Sequence, residues 1–191
     1  MLRIMNRLIK RGMKYLVCKC DTEGVPYRKK NGNQLWNIFM MFDRVVDTEK
    51  NTETEIFHTI HFAGNARSKT KDTRKSLNCH FASIDHLINK YDADGGIVAV
   101  FWNASHDKKC ITHYLEEEEL PFFNERFTFV DALHKTRLHF KDKDEKPKSF
   151  KLEAVADFAK VEKPDKLHTA LADTLLLSSL MDKLDIKCHD V

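Results

Sequence analysis

The sequence lacks a long hydrophobic segment. Its longest unbroken apolar run is IVAVFW, at residues 97–102, far short of the ~20 residues that a membrane-spanning helix needs. It also lacks a C-x-x-C pair and any zinc-like cysteine spacing, because its five cysteines stand at positions 18, 20, 79, 110 and 188. An odd cysteine count without a signal peptide favours free thiols in a reducing compartment. These absences predict an intracellular protein, cytoplasmic or nuclear, without a membrane partner.

A strong charge of either sign is also absent. The 32 Lys and Arg residues nearly balance the 29 Asp and Glu residues, so the net charge of +3 is weak evidence for a polyanionic partner. With 42% hydrophobic and 32% charged residues, the 191-residue chain has the composition of a globular protein. No repeat, low-complexity tract or long linker divides it, which predicts a single domain over 1–191. The basic segment 1–14 is predicted to be an N-terminal helix or tail rather than a mitochondrial presequence.

Hydrophobic periodicity predicts an α/β protein, with three strands in series followed by alternating helices and strands. Strands are predicted at 15–20, 34–42, 53–62, 96–102 and 126–133, and helices at 81–91, 107–119, 149–160 and 169–185. The basic segment 65–78 is interpreted as a surface loop, with a phosphate-contacting loop as the alternative, and 141–148 as a charged loop. This order of elements favours a mixed sheet covered by helices.

Two acidic residues follow the first predicted strand, in the segment CDTEG. Strand side chains alternate between faces, so Asp21 and Glu23 project to the same side, together with Lys19. Like charges at this spacing repel and raise each other's pKa unless a cation lies between them. A solvated strand end with two exposed acids is the alternative interpretation.

A third acidic residue follows the apolar strand, in the segment WNASHD. The strand ends at Trp102 and leads Asn103 and Asp107 into the start of a helix. Ligand sites of α/β sheets lie where strands end and helices begin. Alternatively, Asn103 caps the helix and Asp107 interacts with its positive N-terminus.

The fourth acidic residue stands in the last predicted helix, in the segment LHTALADTLLL. Asp173 begins an apolar stripe that continues through Leu176, Leu177, Leu180 and Leu184. An unpaired carboxylate on a buried face is costly, and His168, about 140° round a helix from Asp173, would not stack on it. A cluster of carboxylates suits Mg²⁺ or Mn²⁺, and a neutral histidine beside it suits proton transfer from water.

These three segments, in this order, resemble the motifs of the DEDDh 3′→5′ exonucleases. The first motif, D-x-E, matches CDTEG; the second, an Asn four residues before an Asp, matches WNASHD; and the third, H-x-A-x-x-D, matches HTALAD. The resemblance covers nearly the whole chain, roughly Tyr15 to Leu184. It implies an RNase H-like sheet of five strands, with the first three antiparallel and the last two parallel to the first.

The resemblance also implies a role for each of the five matching residues. Asp21 would bridge two Mg²⁺ or Mn²⁺ ions, while Glu23 and Asp173 hold the ion that activates water. Asp107 would support the second ion, and His168 would be the general base. The implied reaction is hydrolysis from the 3′ end of DNA or RNA, with release of nucleoside 5′-monophosphates.

Four further residues are expected at the substrate: Thr22, Gly24, Asn103 and Trp102. Two of these positions depart from the family pattern. Gly24 and Val25 replace the threonines that commonly follow D-x-E, and Trp102 stands where many members have histidine. A polymerase or a second copy of the chain is a possible partner. The alternative functions are a structure-selective nuclease of the same superfold, and a nucleic-acid-binding or polymerase-associated proofreading module.

Overall fold

A mixed β-sheet forms the centre of the protein. The computed structural model describes residues 9–23, 35–65, 71–114, 120–165 and 168–187. The strands of the sheet are β1 (Lys14–Glu23), β2 (Leu35–Asp47), β3 (Thr52–Asn65), β4 (Gly96–Phe101) and β5 (Phe127–Asp131). Their order is β3-β2-β1-β4-β5, in which β2 is antiparallel to β1 and β3, whereas β4 and β5 run parallel to β1. The predicted α/β class and mixed five-stranded sheet are confirmed.

Helices pack on both faces of this sheet. Those in the described residues are α1 (Lys71–Lys90), α2 (Ala104–Tyr114), α3 (Leu120–Arg126), α4 (Ala132–His139), α5 (Leu152–Phe158) and α6 (Ala170–Lys183). On one face, Leu16, Cys18 and Cys20 of β1 belong to a core shared with α1, α2 and α3. On the other face, Tyr15 and Val17 belong to a core shared with α4, α5 and α6. None of these helices combines the length and the hydrophobicity that crossing a membrane requires.

The carboxyl end of β1 extends beyond its pairing with β4. The two parallel strands pair as far as Lys19, opposite Val100, whereas β1 continues beside β2 to Glu23. All six residues of β4 are buried, as expected for a strand that is covered on both faces. The acidic residues of β1 therefore lie at the carboxyl edge of the parallel strands, where α/β sheets bind ligands.

A β-bulge in β2 places two consecutive charged residues on one face of the sheet. Val17 pairs with Arg44 and Cys18 with Phe42, so Asp43 is the extra residue. Phe42 faces the α1 side, in the core, while Asp43 and Arg44 both reach residues of α6 on the opposite face. Bulges commonly redirect side chains in this way.

The prediction of a loop at 65–78 is wrong in part. Residue 65 ends β3, and α1 already begins at Lys71, ten residues before the predicted helix at 81–91; residues 66–70 lie outside the described residues. The segment KDTRKSLN carries too few apolar residues to show a helical period. Lysine and arginine nevertheless have good helix propensity, and no glycine or proline interrupts the segment.

Two other boundaries differ from the prediction. The strand predicted at 126–133 ends at Asp131, because its carboxylate accepts the His134 N–H at 3.1 Å and thereby caps α4, a helix that was not predicted. The helix predicted at 107–119 already begins at Ala104 and is described as far as Tyr114; residues 115–119 lie outside the described residues, and α3, which was not predicted, begins at Leu120. The loop at 141–148 is confirmed. Of the predicted N-terminal helix or tail, residues 1–8 lie outside the described residues.

Candidate metal centre

Three of the predicted acidic residues meet at the carboxyl end of β1. Asp21 and Glu23 reach the α6 side of the sheet from alternate positions of β1, and Asp173 joins them from the first turn of α6. One carboxylate oxygen of each lies within 4.8 Å of the others. These residues are called the carboxylate cluster below. Oxygen ligands without sulfur suit hard divalent cations such as Mg²⁺ and Mn²⁺.

The electrostatics of the carboxylate cluster favour a bound cation. Burial, followed by repulsion from Asp107, Asp173 and Glu23, raises the pKa of Asp21 to about 8. Burial and the charge of Asp173 also raise the pKa of Glu23, and burial raises the pKa of Asp173. A divalent ion would offset this repulsion between the carboxylates and would favour their ionised forms.

Asp107 lies beside the carboxylate cluster but is held on the other side of β1. Its side chain accepts a hydrogen bond from the Thr22 hydroxyl at 2.7 Å, and the residue is only 4% exposed. Burial raises the pKa of Asp107 to about 7, although its hydrogen bonds with Thr22 act in the opposite direction. Asp107 repels Asp21, so the two carboxylates share one electrostatic environment, but Asp107 does not belong to the group of three.

His168 precedes α6 and is not part of the helix. Its backbone has a positive φ of 62°, and Thr169 caps the helix that begins at Ala170. The predicted angular offset of 140° from Asp173 is therefore wrong, because a helical wheel does not apply to this residue. Instead, the His168 backbone N–H donates to Asp173 Oδ1 at 3.3 Å, which links the histidine directly to the carboxylate cluster.

The imidazole of His168 has a partner that the sequence did not indicate. Its Nε2 lies 3.3 Å from Glu153 Oε1, and the imidazole side chain is 81% exposed. Glu153 belongs to the first turn of α5, a helix that was predicted without any functional residue. A single glutamate in a short helix carries no sequence signal. The contact appears once the chain between α5 and α6 brings the two residues together.

The apolar stripe of α6 explains the position of Asp173. Leu176, Leu177 and Leu180 are buried, as predicted, and Leu184 packs at the edge of the same core. This stripe fixes α6 against β1 and β2, and Asp173 extends it by one turn to the carboxyl edge of the sheet. Asp173 therefore lies on the buried face of α6 because this face leads to the carboxylate cluster.

The residues expected at the substrate have different environments. Thr22 is buried, with its hydroxyl engaged by Asp107. Trp102 packs partly buried against the core on the α6 side. Asn103 is exposed, and its backbone carbonyl accepts the N–H groups of His106 and Asp107 at the start of α2. Gly24 and Val25 lie outside the described residues.

No protein-family model matches the chain, and a comparison with the curated proteins finds no significant match either. The function is therefore inferred from the motifs, the sheet topology and the geometry of the carboxylate cluster. Asp21 and Glu23 are close in sequence, but Asp173 is 150 residues away from Glu23. Folding brings this third acid to the other two at the sheet edge, and this convergence is the observation with the greatest functional content.

Proposed function

We propose that the protein is a metal-dependent 3′→5′ exonuclease with an RNase H-like fold, of the DEDDh type. The observation that carries the proposal is the meeting of Asp21, Glu23 and Asp173 from two distant parts of the chain. The strand order β3-β2-β1-β4-β5, with β4 and β5 parallel to β1, supports it as well. This strand order is the one expected from the resemblance to the DEDDh exonuclease motifs.

The carboxylate cluster fits a divalent ion in its chemistry and in its size. Two oxygens bound to one Mg²⁺ at about 2.1 Å lie at most about 4.2 Å apart. This is close to the 4.8 Å within which one oxygen of each of the three carboxylates already lies. Asp21, Glu23 and Asp173 would hold the ion. Asp107, which repels Asp21 from the other side of β1, is the proposed support of a second one. Such ions would supply Lewis-acid activation of water and of the phosphodiester.

His168 is proposed to accept the proton of the attacking water. When Nε2 directs its proton to Glu153 Oε1, at 3.3 Å, the lone pair remains on Nδ1. The Glu153 carboxylate thereby selects the ring tautomer, as partners of a catalytic histidine commonly do. The backbone hydrogen bond from His168 to Asp173 keeps this base next to the carboxylate cluster.

The test is degradation of 5′-labelled single-stranded and duplex DNA and RNA. We expect stepwise shortening from the 3′ end with Mg²⁺ or Mn²⁺, none in EDTA, and protection by a 3′ block but not by a 5′ block. Asp173→Asn should abolish the activity. Asp182→Asn is the matched control, because Asp182 lies on the same helix, outside the carboxylate cluster, and pairs with Arg44.

Two results would contradict the proposal. Full activity after exhaustive chelation would exclude a metal-dependent reaction, and shortening from the 5′ end would exclude the direction. Binding of nucleic acid in Mg²⁺ without any cleavage would favour the alternative, a binding or proofreading-associated module.

A further inference from the structure

A buried lysine lies next to the carboxylate cluster. Lys19 stands two residues before Asp21 on the same face of β1, and it is 4% exposed. An ammonium group is costly to bury without an anionic partner. A lysine side chain is long enough to reach a carboxylate two strand positions away. If the Lys19 ammonium paired with the carboxylate cluster, it would neutralise the negative charge that attracts a divalent ion.

The structure gives Lys19 a different partner. Its Nζ donates to Asp43 Oδ2 on β2, and the Ser178 hydroxyl of α6 donates to the same oxygen at 3.4 Å. The other oxygen, Asp43 Oδ1, lies 3.5 Å from Arg44 Nε. The Asp43 carboxylate of β2 therefore contacts both β1 and α6, and it accepts a hydrogen bond from the ammonium of Lys19.

The β-bulge is the reason that Asp43 can hold this position. Without the extra residue, Asp43 and Arg44 would face opposite sides of the sheet. With it, Arg44 also faces α6, where its terminal nitrogens reach Asp182 at 2.8 Å and Glu53 at 3.1 Å. Arg44 thus has acidic partners of its own.

We propose that Asp43 is a positioning residue that holds the Lys19 ammonium away from the carboxylate cluster and so keeps the cluster available to divalent cations. The inference rests on the proposed function only in that the cluster binds metal ions. It explains why a lysine can occupy the same strand face as two metal-binding carboxylates. It also assigns a role to the bulge in β2.

The test measures Mn²⁺ affinity by calorimetric titration of the folded protein and four variants. Asp43→Asn should weaken binding about tenfold, because Lys19 then pairs with the carboxylate cluster. Lys19→Met alone should bind as the wild type does. Adding Lys19→Met to Asp43→Asn should restore the affinity to within about twofold, since no ammonium remains to compete. Asp182→Asn is the control, because it breaks a pair of Arg44 and leaves Lys19 with Asp43.

A merely structural pair would give a different pattern: lower stability in each variant and an unchanged Mn²⁺ affinity in the folded fraction. That result, or a double variant that binds as weakly as Asp43→Asn, would overturn the inference. Wild-type protein that binds no Mn²⁺ would overturn both this inference and the proposed function. Wild-type protein that binds Mn²⁺ and cleaves no nucleic acid would overturn the proposed function alone.

A measurement on the wild type can still refute the inference if Asp43→Asn does not fold. Nuclear magnetic resonance can detect the scalar coupling across the hydrogen bond between Lys19 Nζ and its carboxylate partner. We expect coupling to Asp43, both before and after addition of Mg²⁺. Coupling of Lys19 to Asp21 in the metal-free protein would overturn the inference.

Discussion

Replacing Asp21 by asparagine is expected to stabilise the metal-free protein while abolishing the proposed nuclease activity. Burial and three neighbouring acids raise the pKa of Asp21 to about 8, from an ordinary value of 3.8. Between these two values the folded protein retains a proton that the unfolded chain has released. The free energy of unfolding of the metal-free protein therefore falls as the pH rises from about 4 to about 8.

The size of the effect follows from the same pKa. At pH 7.5, the raised pKa of Asp21 corresponds to about 5 kcal/mol of lost stability, at ~1.4 kcal/mol for each pKa unit. Asparagine removes the charge but leaves a buried polar group, and the surroundings of Asp21 relax around either form. We therefore expect a gain of about 2–3 kcal/mol, equivalent to a rise in Tm of roughly 4–12 °C for a domain of this size.

The assay is thermal unfolding in EDTA at pH 5 and pH 7.5. The stabilisation by Asp21→Asn should be clear at pH 7.5 and much smaller at pH 5, where less of the penalty has developed. Asp182→Asn is the contrasting control and should change Tm little at either pH value, because its side chain is exposed and lies outside the carboxylate cluster. Destabilisation by Asp21→Asn of equal size at both pH values would refute the reasoning.

Two further predictions concern metal binding and His168 as the proposed general base. Saturating Mn²⁺ should raise the Tm of the wild type at pH 7.5, by the equivalent of about 2.7 kcal/mol at one hundred times Kd, and should barely affect Asp21→Asn; equal shifts in both would place the ion elsewhere. His168→Ala should lower kcat by roughly 10²–10⁴ with Mn²⁺ affinity retained, as measured by single-turnover cleavage and calorimetry on one preparation. A lower Tm with unchanged turnover for each folded molecule would instead assign His168 a structural role.

The sequence predicted the elements that have a strong hydrophobic period. The apolar stripe of α6 and the apolar strand β4 were both located. The spacing of the leucines in α6 and the unbroken apolar run in β4 each indicate a buried element. The polar first half of α1 was missed, since a helix without an apolar face has no such pattern. The end of β5 at Asp131 depends on a side-chain cap, which a strand pattern that continues to residue 133 conceals.

The candidate site was predictable where it depended on local spacing. Asp21 and Glu23 share a strand face by alternation, and Asp173 follows from the stripe of α6. Contacts across elements could not be predicted in this way. The contact of Glu153 with His168 depends on the chain between α5 and α6, and the contact of Asp43 with Lys19 depends on a bulge. Neither leaves a periodic pattern in the sequence.

The energetics of the carboxylate cluster differ from those of acidic residues that stabilise a fold. Burial of Leu176, Leu177 and Leu180 contributes about 1.5–3 kcal/mol for each side chain, which holds α6 in place despite the repulsion that Asp173 adds at its end. The metal-free fold therefore accepts three crowded acids with raised pKa values. Local destabilisation of this kind, maintained by a core that is packed independently of it, is typical of residues that are arranged for chemistry. Variants that relieve the crowding should therefore gain stability and lose function together.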